Sequence, residues 1–318
     1  MSKVIIGVDI SKDYLDAHRN RDGASRQFAN DDKGHAAFLV WAKPSARQHG
    51  TEPHQIVFEA TGRYHLSFEA RLANTGLAYA KLNPVQVKRF GQALGVRAKT
   101  DAADAALLAR MGAVMDFPAT VPTEEQHRSL NALRSARHAL IKDRTAAKNR
   151  AGGLQLPLLQ RQNDARLARI EEDLAEIDRA MATLISKHSE MARKRDILMS
   201  VPGIGRTTAD ALIALAPELG HCGGPQIAKL AGLAPITRSS GKWKGHASIR
   251  AGRGPLREAL FMPALVAAQR NPDLAAFSRR LKDAGKPGMV VVTAVMRKLL
   301  ILANALIRDD REWTPKMP

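Results

Sequence analysis

Four carboxylates occupy positions from which they can share a metal ion. Asp9 ends the apolar run KVIIGVD and Glu59 lies at the end of the run QIVFEA, and both runs are typical of buried strands. Asp101 and Asp104 begin an alanine-rich helical stretch, where residues three apart share a face. If the two strands are sheet neighbours, the four acids converge at one edge, and their mutual repulsion requires cations. Oxygen ligands favour Mg²⁺ or Mn²⁺, and two such ions about 4 Å apart promote phosphodiester cleavage.

The aspartate pair also has a purely local interpretation. Asp101 suits a helix N-cap and Asp104 suits a capping box, in which both carboxylates accept hydrogen bonds from backbone amides. For the pair alone this is the stronger interpretation. The order of the motifs, with an acid at each of two strand ends and then D-x-x-D at a helix start, favours the metal site.

A second group of residues is rich in cations and glycine. The segment TRSSGKWKGHASIRAGRGPLR, residues 237–257, holds six basic side chains, four glycines and no acid. Glycine lets a backbone approach a ligand closely, and tryptophan can stack on a base or sugar. Ser239 and Ser240 can hydrogen-bond phosphate, or one of them can act as a nucleophile if cations stabilise the charge at phosphorus. The pattern predicts nucleic-acid contacts by Arg238, Lys242, Trp243, Lys244, Arg250, Arg253 and Arg257.

A glycine-containing turn precedes this segment. The sequence ILMSVPGIGRTTADALIAL predicts two helices joined by Pro-Gly-Ile-Gly. Backbone amides around Gly203 and Gly205 would then lie at a helix N-terminus, where a phosphate is favoured. The pattern resembles the helix-hairpin-helix element of many DNA-binding proteins, and the alternative is a plain helix-helix turn.

Three regions of different pattern carry these residues. Residues 1–118 read as three strands followed by alternating helices and strands, which predicts an α/β sheet of mixed strand direction. Residues 119–196 predict long helices: apolar positions from Leu167 to Met191, with His188 as a tolerated polar member, follow a coiled-coil seam. Residues 197–318 predict a mainly helical domain. The first long helix, about 124–152, predicts a basic outer face formed by Arg128, Arg134, Arg137, Lys142, Arg144, Lys148 and Arg150.

Composition favours a polyanionic partner. The 318 residues include 49 lysines and arginines against 31 acids, a formal charge of +18, which is unusual for an enzyme of small neutral metabolites. The single cysteine, Cys222, excludes an internal disulfide and a cysteine-rich zinc site, and fits a reducing cytoplasm. The short apolar start predicts no signal peptide. Arg297 and Lys298 interrupt the apolar stretch 289–307, so no membrane span is expected.

The motifs follow one another in an order that resembles a known family. They are GVDISKDYLD, FEATGRY, LNPVQVKRF, KTDAADAALLA, VPGIG, AGLAPITRSSG, REALFMPAL and MRKL. The chain resembles the DEDD transposases of the bacterial insertion-sequence family numbered 110, which includes Piv-type DNA invertases. The resemblance implies a RuvC-like, RNase H-type first domain with Asp9, Glu59, Asp101 and Asp104 as metal ligands, a coiled-coil middle and a C-terminal transposase domain.

The resemblance also implies a serine that attacks DNA and forms a covalent phosphoserine. Counting from Ile249 and Gly245 assigns this role to Ser239. The family commonly has Ser-Gly where this chain has two serines, and lysine where Ala251 stands, so Ser240 stays an alternative. A bridge RNA that pairs with donor and target DNA is implied, as is a dimer that assembles into a tetramer, in which one subunit's acids meet another's serine.

The expected function is therefore a cut-and-rejoin recombinase for mobile DNA, located in the bacterial cytoplasm and associated with the nucleoid when it acts. Rejoining conserves bond energy in the serine ester, so no ATP site is expected, and the sequence has no Walker pattern. Two alternatives remain. One is a metal-only junction-resolving nuclease in which water attacks and the serines only bind phosphate. The other is a non-catalytic nucleic-acid-binding protein whose acids are helix caps.

Overall fold

The computed structural model describes residues 3–43, 54–60, 62–95, 101–237, 239–240, 243–245 and 247–315. For residues 101–102, 239–240 and 243–244 this description covers the backbone alone. The chain divides into two compact units, Met1–Pro122 and Thr123–Pro318.

The first unit is a mixed α/β structure, as the sequence predicts. Its described elements form a five-stranded sheet in the order β3-β2-β1-β4-β5. The first three strands form an antiparallel meander, whereas β4 pairs parallel with β1 and β5 parallel with β4. The elements are β1 (Val4–Ile10), β2 (Tyr14–Arg19), β3 (Ser25–Ala29), α1 (Asp32–Ala42), β4 (His54–Glu59), α2 (Leu66–Ala73), β5 (Ala78–Leu82), α3 (Pro84–Ala93) and α4 (Asp101–Met115).

Helices cover both faces of the sheet, which explains why β1 and β4 are apolar along most of their length. On one face, Ile5 and Val57 pack against Leu108, Ala109 and Met111 of α4. On the other face, strand side chains join α1 and α2 in a core with many aromatic rings, namely Phe28, Phe38, Phe58, Phe68 and Tyr79. The two central strands are thereby held rigidly up to the edge where their acids lie.

The second unit is mainly helical, again as predicted. Its helices surround one apolar core that extends from α5 to α12. The only strands in its described part are pairs of residues in the segment between α9 and α10. The elements are α5 (Glu125–Ala151), α6 (Pro157–Ser186), α7 (Ser189–Ser200), α8 (Arg206–Leu215), α9 (Gly224–Leu230), β6 (Pro235–Ile236), β7 (Ser239–Ser240), β8 (Trp243–Lys244), β9 (Ser248–Ile249), α10 (Gly254–Arg270), α11 (Pro272–Asp283) and α12 (Gly288–Arg308).

Helices α5 and α6 pack as a hairpin, but the seam predicted on α6 is shorter than expected. Ile170, Leu174 and Met181 are buried, as seam residues should be, whereas the predicted seam residue Leu184 is half-buried and its neighbour Ile185 is buried instead. The helix ends at Ser186, and His188 takes an extended backbone (φ −117°, ψ 104°) as the N-cap of α7. The prediction of one continuous seam up to Met191 is therefore wrong, because the extended residue at His188 starts a new helix.

Two arginines of the predicted basic face instead connect the hairpin helices. Arg137 Nε lies 2.6 Å from Asp178 Oδ1, and Arg144 Nη1 lies 3.3 Å from Glu171 Oε1. These side chains are half-buried between α5 and α6 rather than on the outer face. Arg137 and Arg144 therefore do not belong to an outward basic face, and Arg134 is half-buried as well. The remaining members are exposed as predicted, namely Arg128, Lys142, Lys148 and Arg150.

Helix α12 is long and apolar enough to qualify as a membrane span, with a mean hydropathy of 2.0. Nine of its side chains are buried, and five of them have no exposed surface, namely Val295, Leu299, Leu300, Ala303 and Leu306. They pack in the core of the second unit. This burial identifies α12 as a core helix, in agreement with the expectation of no membrane span.

Candidate active site

Asp9 and Glu59 lie next to each other at one edge of the sheet. Strands β1 and β4 are parallel, and their register pairs Val8 with Phe58, so the next pair along both strands is Asp9 and Glu59. Strand side chains alternate between faces, which puts both carboxylates on the face that carries Val57 and packs against α4. Both residues are half-buried. The neighbouring strands that the metal-site prediction requires are present.

The first turn of α4 lies toward the same edge. A Cβ built on Gly7 would be 2.1 Å from the carbonyl oxygen of Ala105, so the helix backbone crosses directly over this glycine. A Cβ built on Gly112, further along α4, would be 2.7 Å from Cγ2 of Ile5, which precedes Gly7 in β1. Helix α4 therefore runs antiparallel to β1. Going from Gly7 toward Asp9 along β1 therefore means going toward Asp104 and Asp101 along α4.

Asp104 is half-buried, and its carboxylate accepts no hydrogen bond among the described residues. The capping-box interpretation of Asp104 thus lacks its defining contact in this part of the chain. The side chain of Asp101 lies outside the described residues. Among the side chains that are described, no three acids, histidines or cysteines lie close enough to hold a metal ion.

A residue that the sequence did not single out connects the segments that follow both acid-bearing strands. Asn30 Nδ2 donates to the carbonyl oxygen of Ser11, just after β1, at 2.8 Å. It also donates to the carbonyl oxygen of Tyr64, after β4, at 3.1 Å. Asn30 Oδ1 lies 2.8 Å from His35 Nε2. Because the amide group of Asn30 donates both of its hydrogens, Oδ1 accepts, and the proton of His35 belongs on Nε2.

His35 is neutral in this network. Burial lowers its pKa, and the opposing effect of Asp32 and Asp31 is smaller. The ring is 1% exposed, and its Nδ1 has no hydrogen-bond partner. Asn30 and His35 therefore form an uncharged support behind the acidic edge. No sequence pattern identifies this support, because Asn30 reads as an ordinary residue at the end of a strand.

Residues 235–249 of the second unit contain Ser239 and Ser240 and are called the serine loop. Their described part forms two short antiparallel strand pairs. Strand β6 pairs with β9, and within that pair β7 pairs with β8, in a register that aligns Ser239 with Lys244 and Ser240 with Trp243. The predicted contact residues Arg238 and Lys242 lie outside the described residues. The backbone register brings both serines and Lys244 into one small hairpin.

The arginines at the base of this loop contact protein groups. Arg253 donates to both carboxylate oxygens of Glu218, at 2.7 and 2.6 Å, and to the carbonyl oxygen of Leu215 at 2.8 Å. Arg257 Nη1 donates to the carbonyl oxygen of Ala251 at 3.0 Å. Both guanidinium groups thus hold the loop base in place, whereas Arg250 is exposed and bonds to Ser248 Oγ at 3.3 Å.

The Pro-Gly-Ile-Gly turn joins α7 to α8, as the sequence predicts. Gly203 has φ +106°, and a Cβ on it would be 2.7 Å from Cβ of Ala267, so this glycine permits close packing on α10. Gly205 is the exposed N-cap of α8, and a Cβ there would meet nothing within 4 Å. Of the two predicted phosphate-binding glycines, Gly205 is the one open to a ligand.

Two family matches cover most of these positions. The DEDD transposase family of IS110 type matches residues 6–154, and the transposase IS116/IS110/IS902 family matches residues 195–279. The first match includes all four acids, and the second includes the glycine turn and the serine loop.

Full-length relatives agree with these matches. The chain is 30% identical over 333 aligned positions to the pilin gene-inverting protein of Moraxella bovis, covering 100% of this chain and 99% of that protein. The pilin gene-inverting protein of Moraxella lacunata matches with the same identity and coverage. A 43.6 kDa insertion element IS110 protein of Streptomyces coelicolor is 28% identical over 142 residues, 44% of this chain and 35% of that protein. The chain therefore belongs to the IS116/IS110/IS902 family of transposases and is a DNA recombinase of that family.

Proposed function

We propose that this transposase cuts and rejoins donor and target DNA through a covalent phosphoserine at Ser239, with Mg²⁺ or Mn²⁺ held by Asp9, Glu59, Asp101 and Asp104. The observation that carries the proposal is the parallel register of β1 and β4, which aligns Asp9 with Glu59 at the edge toward which α4 begins. Relatives named for inverting a pilin gene favour rejoining over simple cleavage, since inversion reconnects the strands that it cuts.

The donor set fits a hard divalent cation. Adjacent half-buried carboxylates repel each other unless a cation or a proton lies between them, and all four groups offer oxygen ligands. Asp104 keeps its oxygens available, since it accepts no hydrogen bond from the described residues. When bound, the ion would supply positive charge that stabilises the phosphoryl and leaving oxygens.

The proposed serine chemistry consists of two transesterification steps at the same phosphorus. Ser239 Oγ forms a bond to phosphorus and gives up its proton, the bond from phosphorus to a deoxyribose oxygen breaks, and that oxygen leaves with a proton. In the second step the hydroxyl of another strand attacks the same phosphorus, and Ser239 regains its proton. The number of phosphodiester bonds is conserved, so no nucleotide hydrolysis is required. Ser240 is the alternative nucleophile.

The wider organisation is proposed on the family resemblance. We expect a bridge RNA that pairs with donor and target DNA, and a dimer that assembles into a tetramer. The division into a RuvC-like, RNase H-type catalytic domain (1–118), a coiled-coil region (119–196) and a transposase domain with a helix-hairpin-helix element (197–318) belongs to the same proposal. The sheet order β3-β2-β1-β4-β5, the α5–α6 hairpin and the two helices around Gly203 support it. The charge of +18 supports polyanionic partners, and the cytoplasm is the proposed compartment.

The test is a denaturant-resistant protein-DNA adduct formed with bridge RNA, element-end DNA and Mg²⁺. We expect the adduct with the wild type and with Ser240→Ala, but not with Ser239→Ala. Asp9→Asn and Asp101→Asn should each abolish both cutting and the adduct. Cutting that persists in Ser239→Ala without an adduct would favour the metal-only nuclease, and Mg²⁺-dependent cutting unchanged in Asp9→Asn would reject the metal site.

A further inference from the structure

A cavity of about 640 Å³ lies inside the second unit, where α5, α6, α8 and α10 meet. This volume falls within the roughly 300–1,000 Å³ typical of small-molecule sites. One part of its wall is apolar and includes Ile141, Met181, Ala211, Ala259 and Met262. An apolar wall of this kind suits a flat, uncharged group better than it suits a bare phosphate.

The remaining wall is basic. Arg134, Arg137, Arg179 and Arg206 line it together with Thr207 and Thr208 at the start of α8. Two of the lining acids are neutralised, since Asp178 pairs with Arg137 at 2.6 Å and Asp210 pairs with Arg195 at 2.8 Å. Within the described part of the chain, Arg179 and Arg206 have no carboxylate within 4 Å. Arg206 interacts at longer range with the charge of Asp210. The cavity therefore offers, beside an apolar wall, two cations that no described carboxylate pairs with directly.

Groups that can read a base edge are also present. Glu258 and His138 both line the cavity, with Glu258 Oε1 4.0 Å from His138 Nε2. A carboxylate accepts hydrogen bonds from an exocyclic amine, and a neutral imidazole can donate or accept. Cations for a phosphate, an apolar wall for a ring and polar groups for its edge form the combination by which proteins recognise unpaired nucleotides.

We propose that this cavity binds one unpaired nucleotide of a DNA or RNA strand, with its phosphate at Arg206 and Arg179 and its base against Ala259 and Met262. A paired base cannot enter, because it is stacked inside its duplex. The inference rests on the proposed function, since it assumes that the second unit holds nucleic acid. It adds that recombination intermediates or folded RNA are recognised by an extruded base, besides the contacts made by the serine loop.

The test uses the full-length protein and fluorescence anisotropy of labelled duplexes of one sequence. The duplexes are fully paired, carry one bulged nucleotide, or carry a bulged abasic residue, and each is made as DNA and as RNA. We expect the wild type to bind the bulged duplex about tenfold more tightly than the other two. The nucleic acid with the larger preference identifies the natural source of the nucleotide.

Two variants examine the cavity directly. Ala259→Leu fills the apolar side, and Arg206→Ala removes an exposed cation without touching the core; either should reduce the bulge preference to about twofold or less. Arg161→Ala, an exposed arginine of α6 outside the cavity, is the charge-matched control and should keep the preference. If Ala259→Leu shows an altered melting curve, the binding preference of Arg206→Ala alone tests the proposal.

Three results would overturn the inference: equal binding of bulged and paired duplexes, equal binding of bulged and abasic duplexes, or a preference retained in both variants. A short acidic peptide that binds the wild type but not Arg206→Ala, in the absence of any bulge preference, would assign the cavity to a protein partner instead. Adduct formation by the wild type tests the proposed function separately, so the two proposals can fail independently.

Discussion

The carboxamide of Asn30 lies between the two chain segments that leave the acid-bearing strands. Its three hydrogen bonds, to Ser11, Tyr64 and His35, are each worth about 1 kcal/mol of net stability. We expect Asn30→Ala to lower the free energy of unfolding of the first unit by roughly 2–3 kcal/mol. Cutting should fall more than tenfold, because small displacements of catalytic groups are costly.

Thermal unfolding and the rate of adduct formation, measured below the melting temperature, check this prediction. Asn74→Ala is the matched control, since Asn74 is exposed at the end of α2. Loss of stability with an unchanged cutting rate would mean that Asn30 supports the fold but does not position the acids.

His35 predicts a pH dependence of the first unit. Burial lowers its folded-state pKa below the ordinary value of 6.5, so near and below pH 6.5 the unfolded chain takes up a proton that the folded ring does not. Stability should therefore be complete above this range and fall as the pH drops through it. The charged groups that face the ring are Asp32, Asp31 and Arg71.

The measurement is the free energy of unfolding between pH 5 and pH 8 for the wild type and for His35→Gln, which keeps a neutral donor but does not titrate. The acid-side loss should be smaller in the variant. Parallel curves for the two proteins would show that His35 contributes nothing to the pH dependence.

For individual residues, the sequence predicts where Asp9 and Glu59 lie in the fold better than it predicts which residues support them. Asp9 and Glu59 follow from apolar runs that end in acids, a local pattern. The role of Asn30 is not visible in the sequence, because its partners are the backbone carbonyls of Ser11 and Tyr64, which only the fold brings near it. His35 contributes through its hydrogen bond to Asn30. The nucleophile assignment to Ser239 depends on family resemblance, since two adjacent serines among cations have equal chemistry.

Among the elements, the contact between α4 and β1 depends on Gly7. An added Cβ would lie 2.1 Å from the oxygen of Ala105 and 2.4 Å from the nitrogen of Ala109, both backbone atoms that cannot rotate away. We expect Gly7→Ala to push α4 off the sheet, lower the unfolding free energy by about 1–3 kcal/mol or more and abolish Mg²⁺-dependent cutting.

Circular dichroism melting and the cutting assay check this effect. Gly152→Ala is the control, because Gly152 has ordinary helical angles (φ −64°, ψ −17°) and open space around its Cα. Full activity of Gly7→Ala would show that the position of α4 does not matter to the acids.

Most elements follow from local pattern, and the exceptions have a common cause. Helix α3 begins where Asn83 caps and Pro84 follows, and β1 and β4 are the predicted apolar runs. The break at His188 and the inward pairing of Arg137 and Arg144 were not predicted. Both depend on which partner a residue meets in the fold, and a heptad or a charge pattern does not contain that information.

For the whole molecule, the charge of +18 predicts that nucleic-acid binding weakens steeply with salt. On α5, Arg137 and Arg144 are paired with acids. Arg128 and Lys142 are exposed along the helix, and Lys148 and Arg150 are exposed together near its end. If these two cations contact phosphates, neutralising them removes about 0.9 from the slope of log K against log salt for each contact on duplex DNA.

We therefore expect Lys148→Ala/Arg150→Ala to reduce the magnitude of that slope by about 2 in a titration from 50 to 300 mM salt. The control is Lys282→Ala/Lys286→Ala, which removes the same charge from exposed positions at the end of α11 and beyond it. It should leave the slope unchanged, because charges that do not contact phosphates are screened within about 10 Å. Equal slopes for both double variants would mean that α5 contributes only to the overall field and does not bind the nucleic acid.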